Sequence, residues 1–252
     1  MDQQGSFLLE IRLQDKSQDT RQGYDDLYQQ TSLSQIESVY LWMIKQINLP
    51  TQGKLLDLAC GAGELVRLAG LRGLKAFGLD ISDVVAHTAA QHVQAYGSIG
   101  VGQGEKIPFA NDCFDYVTNI GSLEHFQDPA QGVQEMARVL NPRGRAYIMV
   151  PNTFSLLTNI WIAFRKGITS VDQQPLQRYG ARMDWTNLIE NNGLHVLKTL
   201  KYERAWPQKL SDWGYYFRYP KQMARLLASP FIPLNLAFAF IFICEKKPDL
   251  PA

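Results

Sequence analysis

The chemistry-bearing residues of the first third of the chain are Asp57, Gly61, Gly63 and Asp80. Two glycines separated by one residue let a backbone turn sharply where a side chain would collide with a ligand. An ionised carboxylate at the tip of the neighbouring strand can accept both ribose hydroxyls of a nucleoside lying on such a turn. Asp80 follows Asp57 by 23 residues, close to the roughly 20-residue separation expected between a turn of this kind and its ribose acid. This pattern requires a strand, a bare turn and a helix, followed by a second strand ending in Asp80.

The sequence supplies those elements in that order. Leu55, Leu56 and Leu58 read as a short buried strand, and Leu65, Leu68, Ala69 and Leu71 as one face of a helix whose first turn carries Glu64. Residues 75–80 are a second strand and residues 83–95 a second helix. A weak third strand at 99–102, a fourth at 113–119 and a fifth at 145–150 follow, with Asp128, Pro129 and Gln131 opening the helix between the last two. Ahead of the turn, Ser34 and Glu37 form a capping box for a helix whose face is Leu33, Ile36, Tyr40, Met43, Ile44 and Ile47, ended by Pro50. Residues 1–32 read as a polar arm with a short strand at 7–13. Its segment around Tyr24 suits either a surface helix or a flap that orders over a bound cofactor.

Composition bounds the rest. The 252 residues suffice for one elaborated α/β domain, and 25 basic against 24 acidic side chains leave no net field to attract nucleic acid. Cys60, Cys113 and Cys244 are too scattered for a disulfide framework or a zinc site, so no metal is expected. The first 22 residues lack a basic start and an apolar core, which points to a cytoplasmic protein without a signal peptide. A nicotinamide dinucleotide fold needs a third glycine where this chain has the branched Val66.

The blocks at 56–63, 78–82, 105–115, 123–125 and 140–144 fall in the order seen in class I S-adenosylmethionine-dependent methyltransferases. The chain resembles their small-molecule branch, which includes quinone-biosynthesis methyltransferases. The resemblance implies a Rossmann-like, doubly wound, seven-stranded, mostly parallel sheet with an antiparallel last strand. It also implies S-adenosyl-L-methionine as cofactor and S-adenosyl-L-homocysteine as product. Carried over by position, Asp57 orients the glycine loop and helps hold the methionine amino group, and the backbone at Ala59, Gly61 and Gly63 makes room for the methionine part. Asp80 holds the ribose and Ile81 packs on the adenine. Gln103, Gly104 and Glu105 meet the adenine edge, and Asn119 with Ile120 lies near the amino-acid moiety. Tyr24 is assigned to the cofactor as part of the arm. Two positions depart from the family: Ala59 stands where glycine is common and Gln103 where aspartate is common, so the adenine contact loses a charge.

Within the domain at 33–252, helical insertions at 152–182 and 203–235 follow strands five and six, strand six being 194–202, and a final strand runs to Cys244. Loops after parallel strands emerge where ligands bind, so these insertions and His125 are expected to line an aromatic, apolar acceptor pocket that includes Trp161, Trp213 and Tyr216. His125 suits a proton acceptor or a substrate contact as well as a structural role, and the aromatics at 213–219 suit ordinary core equally. His87, His92 and His195 read as surface or structural residues. The expected acceptor is a small apolar or lipid-linked molecule methylated on oxygen; a catalytically silent cofactor-binding protein of the same fold is the alternative. Pro230, Pro233 and Asn235 interrupt the apolar run at 226–244, which argues against a spanning helix. The amphipathic segment 154–166 and the cations Arg218, Lys221 and Arg225 leave peripheral membrane contact open. Nothing in the sequence fixes the oligomeric state.

Overall fold

A computed structural model describes residues 9–12, 20–30, 37–170 and 174–248. The short strand β1 (Leu9–Arg12) precedes helices α1 (Thr20–Gln30) and α2 (Glu37–Gln46), and the Ser34 half of the expected capping box lies outside the described residues. Alternation then begins: β2 (Lys54–Leu58), α3 (Glu64–Leu71), β3 (Lys75–Asp80), α4 (Asp83–Val93) and β4 (Gly97–Val101), then β5 (Phe114–Ile120), α5 (Pro129–Val139) and β6 (Leu140–Pro151). After a π turn at Leu156–Ile160 come α6 (Trp161–Lys166), β7 (Leu176–Tyr179), α7 (Arg182–Asn191), β8 (Leu194–Tyr202), α8 (Leu210–Arg218), α9 (Pro220–Ala228) and β9 (Ala239–Lys246).

The large sheet has the order β4-β3-β2-β5-β6-β9-β8. Neighbours from β4 to β6 are parallel, whereas β9 runs antiparallel to both β6 and β8. The order reverses at β2, so a crevice opens beyond its C-terminal end, where the bare turn of Gly61 lies. Buried parallel strands read as apolar runs because both faces are covered, and alternate residues of β2 serve different layers. Leu55 packs with Trp42, Met43 and Leu65 of α2 and α3; Leu56 and Leu58 pack with Val133, Met136 and Trp185 on the opposite face, under α5 and α7.

Two local features tune this core. The Trp185 indole is fully buried and its Nε1 donates to the Pro151 carbonyl at 2.9 Å, fastening α7 to the end of β6. Asp57 faces Thr118 across the β2–β5 ladder and accepts its Oγ1 hydrogen at 2.6 Å. Burial is the main cause that pushes the Asp57 carboxyl up to about 7; the Thr118 hydrogen bond opposes this and the nearby Asp80 adds to it.

A strand missed in the sequence, β7, pairs antiparallel with β1 in a separate two-stranded sheet, Leu9 opposite Tyr179 and Arg12 opposite Leu176. Arg178 is buried; its Nε donates to Glu10 at 2.9 Å, one Nη donates to the Phe126 carbonyl, and the other reaches the Gln127 carbonyl at 3.2 Å. The small sheet is thereby tied to the loop after β5.

Trp185→Ala is expected to cost about 3–5 kcal/mol in urea unfolding, through the cavity and the orphaned carbonyl. Because the folded-state pKa of Asp57 is raised, its stabilising contribution is full below the ordinary 3.8 and is lost as pH rises through about 7. Asp57→Asn should therefore unfold with nearly the parent's free energy in acid and become the more stable protein above neutrality, by up to about 4 kcal/mol. Parallel pH curves for the two proteins would contradict this.

Candidate active site

A cavity of about 490 Å³ occupies the crevice at the C-terminal end of β2. Its floor is the turn after β2, in which Ala59, Gly61 and Gly63 all have left-handed φ values of 55°, 52° and 78°. Ala59 carries the strain of that region, which Gly61 and Gly63 adopt at no steric cost; the Tyr28 hydroxyl faces Gly61 across the cavity.

Asp80 fixes this turn from the side. One carboxylate oxygen accepts the Gly61 N–H at 2.8 Å and the other the Ser82 N–H at 3.0 Å, although the residue is buried. Burial raises its pKa and these backbone donors oppose the rise. Two accepted hydrogens leave lone pairs on both oxygens, and Asp80 lines the cavity, so it can still receive a vicinal pair of hydroxyls. Ile81 lies beside it in the wall. Gln103 and Glu105 flank Gly104, whose missing side chain is required by Phe126: a Cβ would sit 2.2 Å from the ring. Glu105 accepts the Gln127 N–H at 2.8 Å, which closes this end of the site against the loop after β5.

The arm covers the crevice. On α1, Arg21 Nε donates to the Ile81 carbonyl at 3.0 Å and its guanidinium pairs with Asp83 at 3.3 Å, while Asp25 accepts from the Ser82 hydroxyl. Tyr24 and Tyr28, one helical turn apart and so on one face, both line the cavity. Burial above all, then the neighbouring Asp80, raises the Tyr28 pKa, so its hydroxyl remains a hydrogen-bond donor. Tyr40 and Val39 from α2, Met149 from β6 and Tyr202 from β8 complete an aromatic and apolar wall. Tyr40, Met149 and Tyr202 were not identified from the sequence, and Tyr28 only as the end of the arm segment 23–28 that could order over a cofactor; the Tyr24–Tyr28 spacing on one helix face was the available signal.

Of the other expected site residues, Ile120 and His125 line the cavity, but Asp57, Gly63 and Asn119 do not. Asp57 lies beneath the turn, bonded to Thr118. Gly63 caps α3 and allows α4 to approach, since a Cβ would meet Val93 at 2.8 Å. Asn119 is buried and its Nδ2 donates to the Leu58 carbonyl at 3.3 Å. His125 is buried too, and because Nδ1 faces the Leu176 carbonyl it carries the hydrogen there; Nε2 is 3.7 Å from Glu124.

The expected acceptor aromatics lie elsewhere. Trp161 is 55% exposed on α6, under the Arg165 guanidinium; Trp213 stacks on Phe217; and the Tyr216 hydroxyl donates to the Ala205 carbonyl at 3.0 Å. Helix α8 buries none of its residues, so the run at 213–219 is neither core nor part of this cavity wall. The second insertion contributes no wall residue, and the first contributes Gln174. The reason is directional: composition fixes how aromatic a helix is, and only packing decides which way it faces. Among the described residues no cluster of metal-ligating side chains occurs.

Comparison with known proteins agrees with this geometry. Residues 56–148 match the family described as Methyltransferase domain. The demethylmenaquinone methyltransferase of Chlorobaculum parvum is 37% identical over 110 residues, covering 42% of this chain and 44% of that protein. The ubiquinone/menaquinone biosynthesis C-methyltransferase of Geotalea daltonii is 32% identical over 134 residues, covering 50% and 57%. The chain thus spans about half the length of the curated relatives it matches. The fold is shared with an S-adenosylmethionine-dependent methyltransferase of Thermotoga maritima, described as a possible histamine N-methyltransferase, at a TM-score of 0.62 and 15% identity, over 90% of this chain and 99% of that one. Residues 56–148 thus carry a methyltransferase domain, and in its ordered motifs and strand order the chain is similar to class I S-adenosylmethionine-dependent methyltransferases, among them those of quinone biosynthesis.

Proposed function

We propose that this protein transfers the methyl group of S-adenosylmethionine to a small, apolar, hydroxylated acceptor, with oxygen as the receiving atom. The observation that carries the reading is the Asp80 carboxylate clasping the bare turn at Gly61 while keeping acceptor capacity toward the cavity. When bound, the cofactor supplies an electrophilic methyl on a sulfonium.

The residues of the chain then have distinct tasks. Asp80 receives the ribose hydroxyls, Ile81 packs on the adenine, and the Gln103 amide and Glu105 meet its edge. The electron-rich faces of Tyr24, Tyr28 and Tyr40 suit a cationic ligand and exclude water from it. Methyl transfer needs alignment more than covalent help, because charge disperses as the new bond forms. An acidic acceptor hydroxyl also requires a place for its proton. His125 Nε2 can take it: Nδ1–H is held by the Leu176 carbonyl, and Glu124 stands ready to stabilise the imidazolium.

A second reading concerns the receiving atom. One relative is named a C-methyltransferase, and the same deprotonated ring hydroxyl would activate an adjacent ring carbon. Either way the acceptor is a phenol or quinol type of molecule, and a lipid-linked one suits the apolar wall formed by Val39, Met149 and Tyr202.

Asp80→Asn is expected to weaken S-adenosylhomocysteine binding by on the order of 2–4 kcal/mol in calorimetry, through the loss of charge-assisted hydrogen bonds. An unchanged dissociation constant in the folded variant would remove the ribose assignment. His125→Gln should lower kcat by about 10²–10⁴-fold and leave cofactor affinity intact. A product assay over phenols, quinols and fatty acids, with mass spectrometry of the product, separates oxygen from carbon transfer. Cofactor binding without product on any acceptor would favour a silent binding protein.

A further inference from the structure

The two insertions, which give the cavity wall only Gln174, leave a strongly apolar surface. Phe164 of α6 is 78% exposed, Phe217 of α8 73%, and Phe231, just after α9, 85%. Leu210, Tyr215, Tyr219 and Leu227 are exposed as well. Large aromatic side chains scattered singly need no explanation, but a concentration of them on neighbouring elements marks an interaction surface.

These elements form one platform. Helices α8 and α9 pack on each other, and Arg225 of α9 donates to Thr158 at 2.9 Å in the π turn that leads into α6. Four further cations, Arg165, Lys166, Arg218 and Lys221, are exposed on the same three helices, and none is in an ion pair among the described residues. The one acid on these helices, Asp212, is engaged by the Ser38 hydroxyl and by the Gln208 and Lys209 amides.

We propose that this platform docks on an anionic lipid surface, with Phe164, Phe217 and Phe231 entering the interface and the four cations meeting the headgroups. Charge decides against a second copy of the chain: an isologous contact through this patch would set four uncompensated cations against four more. It also decides against an uncharged apolar partner, which would leave those cations unmatched. No helix among the described residues is long and apolar enough to cross a membrane, so the contact is with the surface. Both insertions leave the sheet at the C-terminal ends of β6 and β8, the edge at which the cavity opens. The proposal rests on the reading of an apolar, lipid-linked acceptor, because it places the platform where such an acceptor would arrive.

The test is sedimentation of the full chain with vesicles of phosphatidylcholine alone and of phosphatidylcholine mixed with phosphatidylglycerol, beside calorimetry with S-adenosylhomocysteine on the same samples. The protein is expected to bind the anionic vesicles and to release them in high salt. The triple variant Phe164→Ser, Phe217→Ser, Phe231→Ser and the double variant Arg218→Ser, Lys221→Ser should each lose about tenfold or more of that affinity while retaining cofactor binding. All five side chains are exposed, so the fold should survive, and circular dichroism checks it. Absence of vesicle binding, equal binding to neutral vesicles, or a dimer in sedimentation that the serine variants dissociate would each overturn the proposal. Vesicle binding by a protein that fails to bind S-adenosylhomocysteine would leave the platform standing and sink the transferase reading instead.

Discussion

The structure depends on one buried carboxylate. Asp80 sits at the end of β3, takes the amide hydrogens of Gly61 and Ser82, and so joins the turn after β2 to the start of α4. A carboxylate in that position is costly unless its lone pairs are filled, and the chain fills only part of them. The remainder points into the crevice that the strand order creates. The surrounding residues are fitted to this: Gly61 aims its amide from a left-handed φ, Ser82 begins a helix, and Tyr28 keeps a protonated hydroxyl near the charge.

Around that centre the crevice has separately anchored walls. Helix α1 is pinned to the first turn of α4 through Arg21 and Asp25, and its two tyrosines roof the cavity. The loop carrying His125 is held from the other side by Arg178, a buried cation satisfied by two carbonyls and by Glu10. The α1 wall and the His125 loop are therefore clamped by different segments of chain. Residues 9–12 and 20–30, which look expendable in composition, secure both.

What the sequence disclosed was whatever a local pattern determines. The run Leu55, Leu56, Leu58 before Gly61 can only be a strand buried on both faces ahead of a turn, and Asp80 at the end of the next such run has one place to go. The seven-stranded sheet followed, including its antiparallel strand β9. The pairing of β1 with β7 was not legible, because Leu9 meets Tyr179 across most of the chain and four-residue strands carry no periodicity. The aromatic wall was hidden for a related reason: Tyr28, Tyr40, Met149 and Tyr202 come from four elements that share no motif. Trp161, Trp213 and Tyr216 misled in the opposite sense. Trp161 is exposed on α6, whereas Trp213 and Tyr216 are half-buried on α8, Tyr216 bonded to the Ala205 carbonyl, and none of the three lines the cavity.

The inner cavity and the outward face of the insertions give the molecule two unlike surfaces, one a crevice lined by Asp80, Gly61 and the tyrosines and one exposed, apolar and basic. Which of them governs function begins with the first. A crystal structure of the complex with S-adenosylhomocysteine tests it most directly: the account predicts adenosyl density over Gly61, both ribose hydroxyls on Asp80 and the ligand roofed by Tyr24 and Tyr28. Density placed away from Asp80, or a crevice that stays closed to the ligand at saturating concentration, would contradict it.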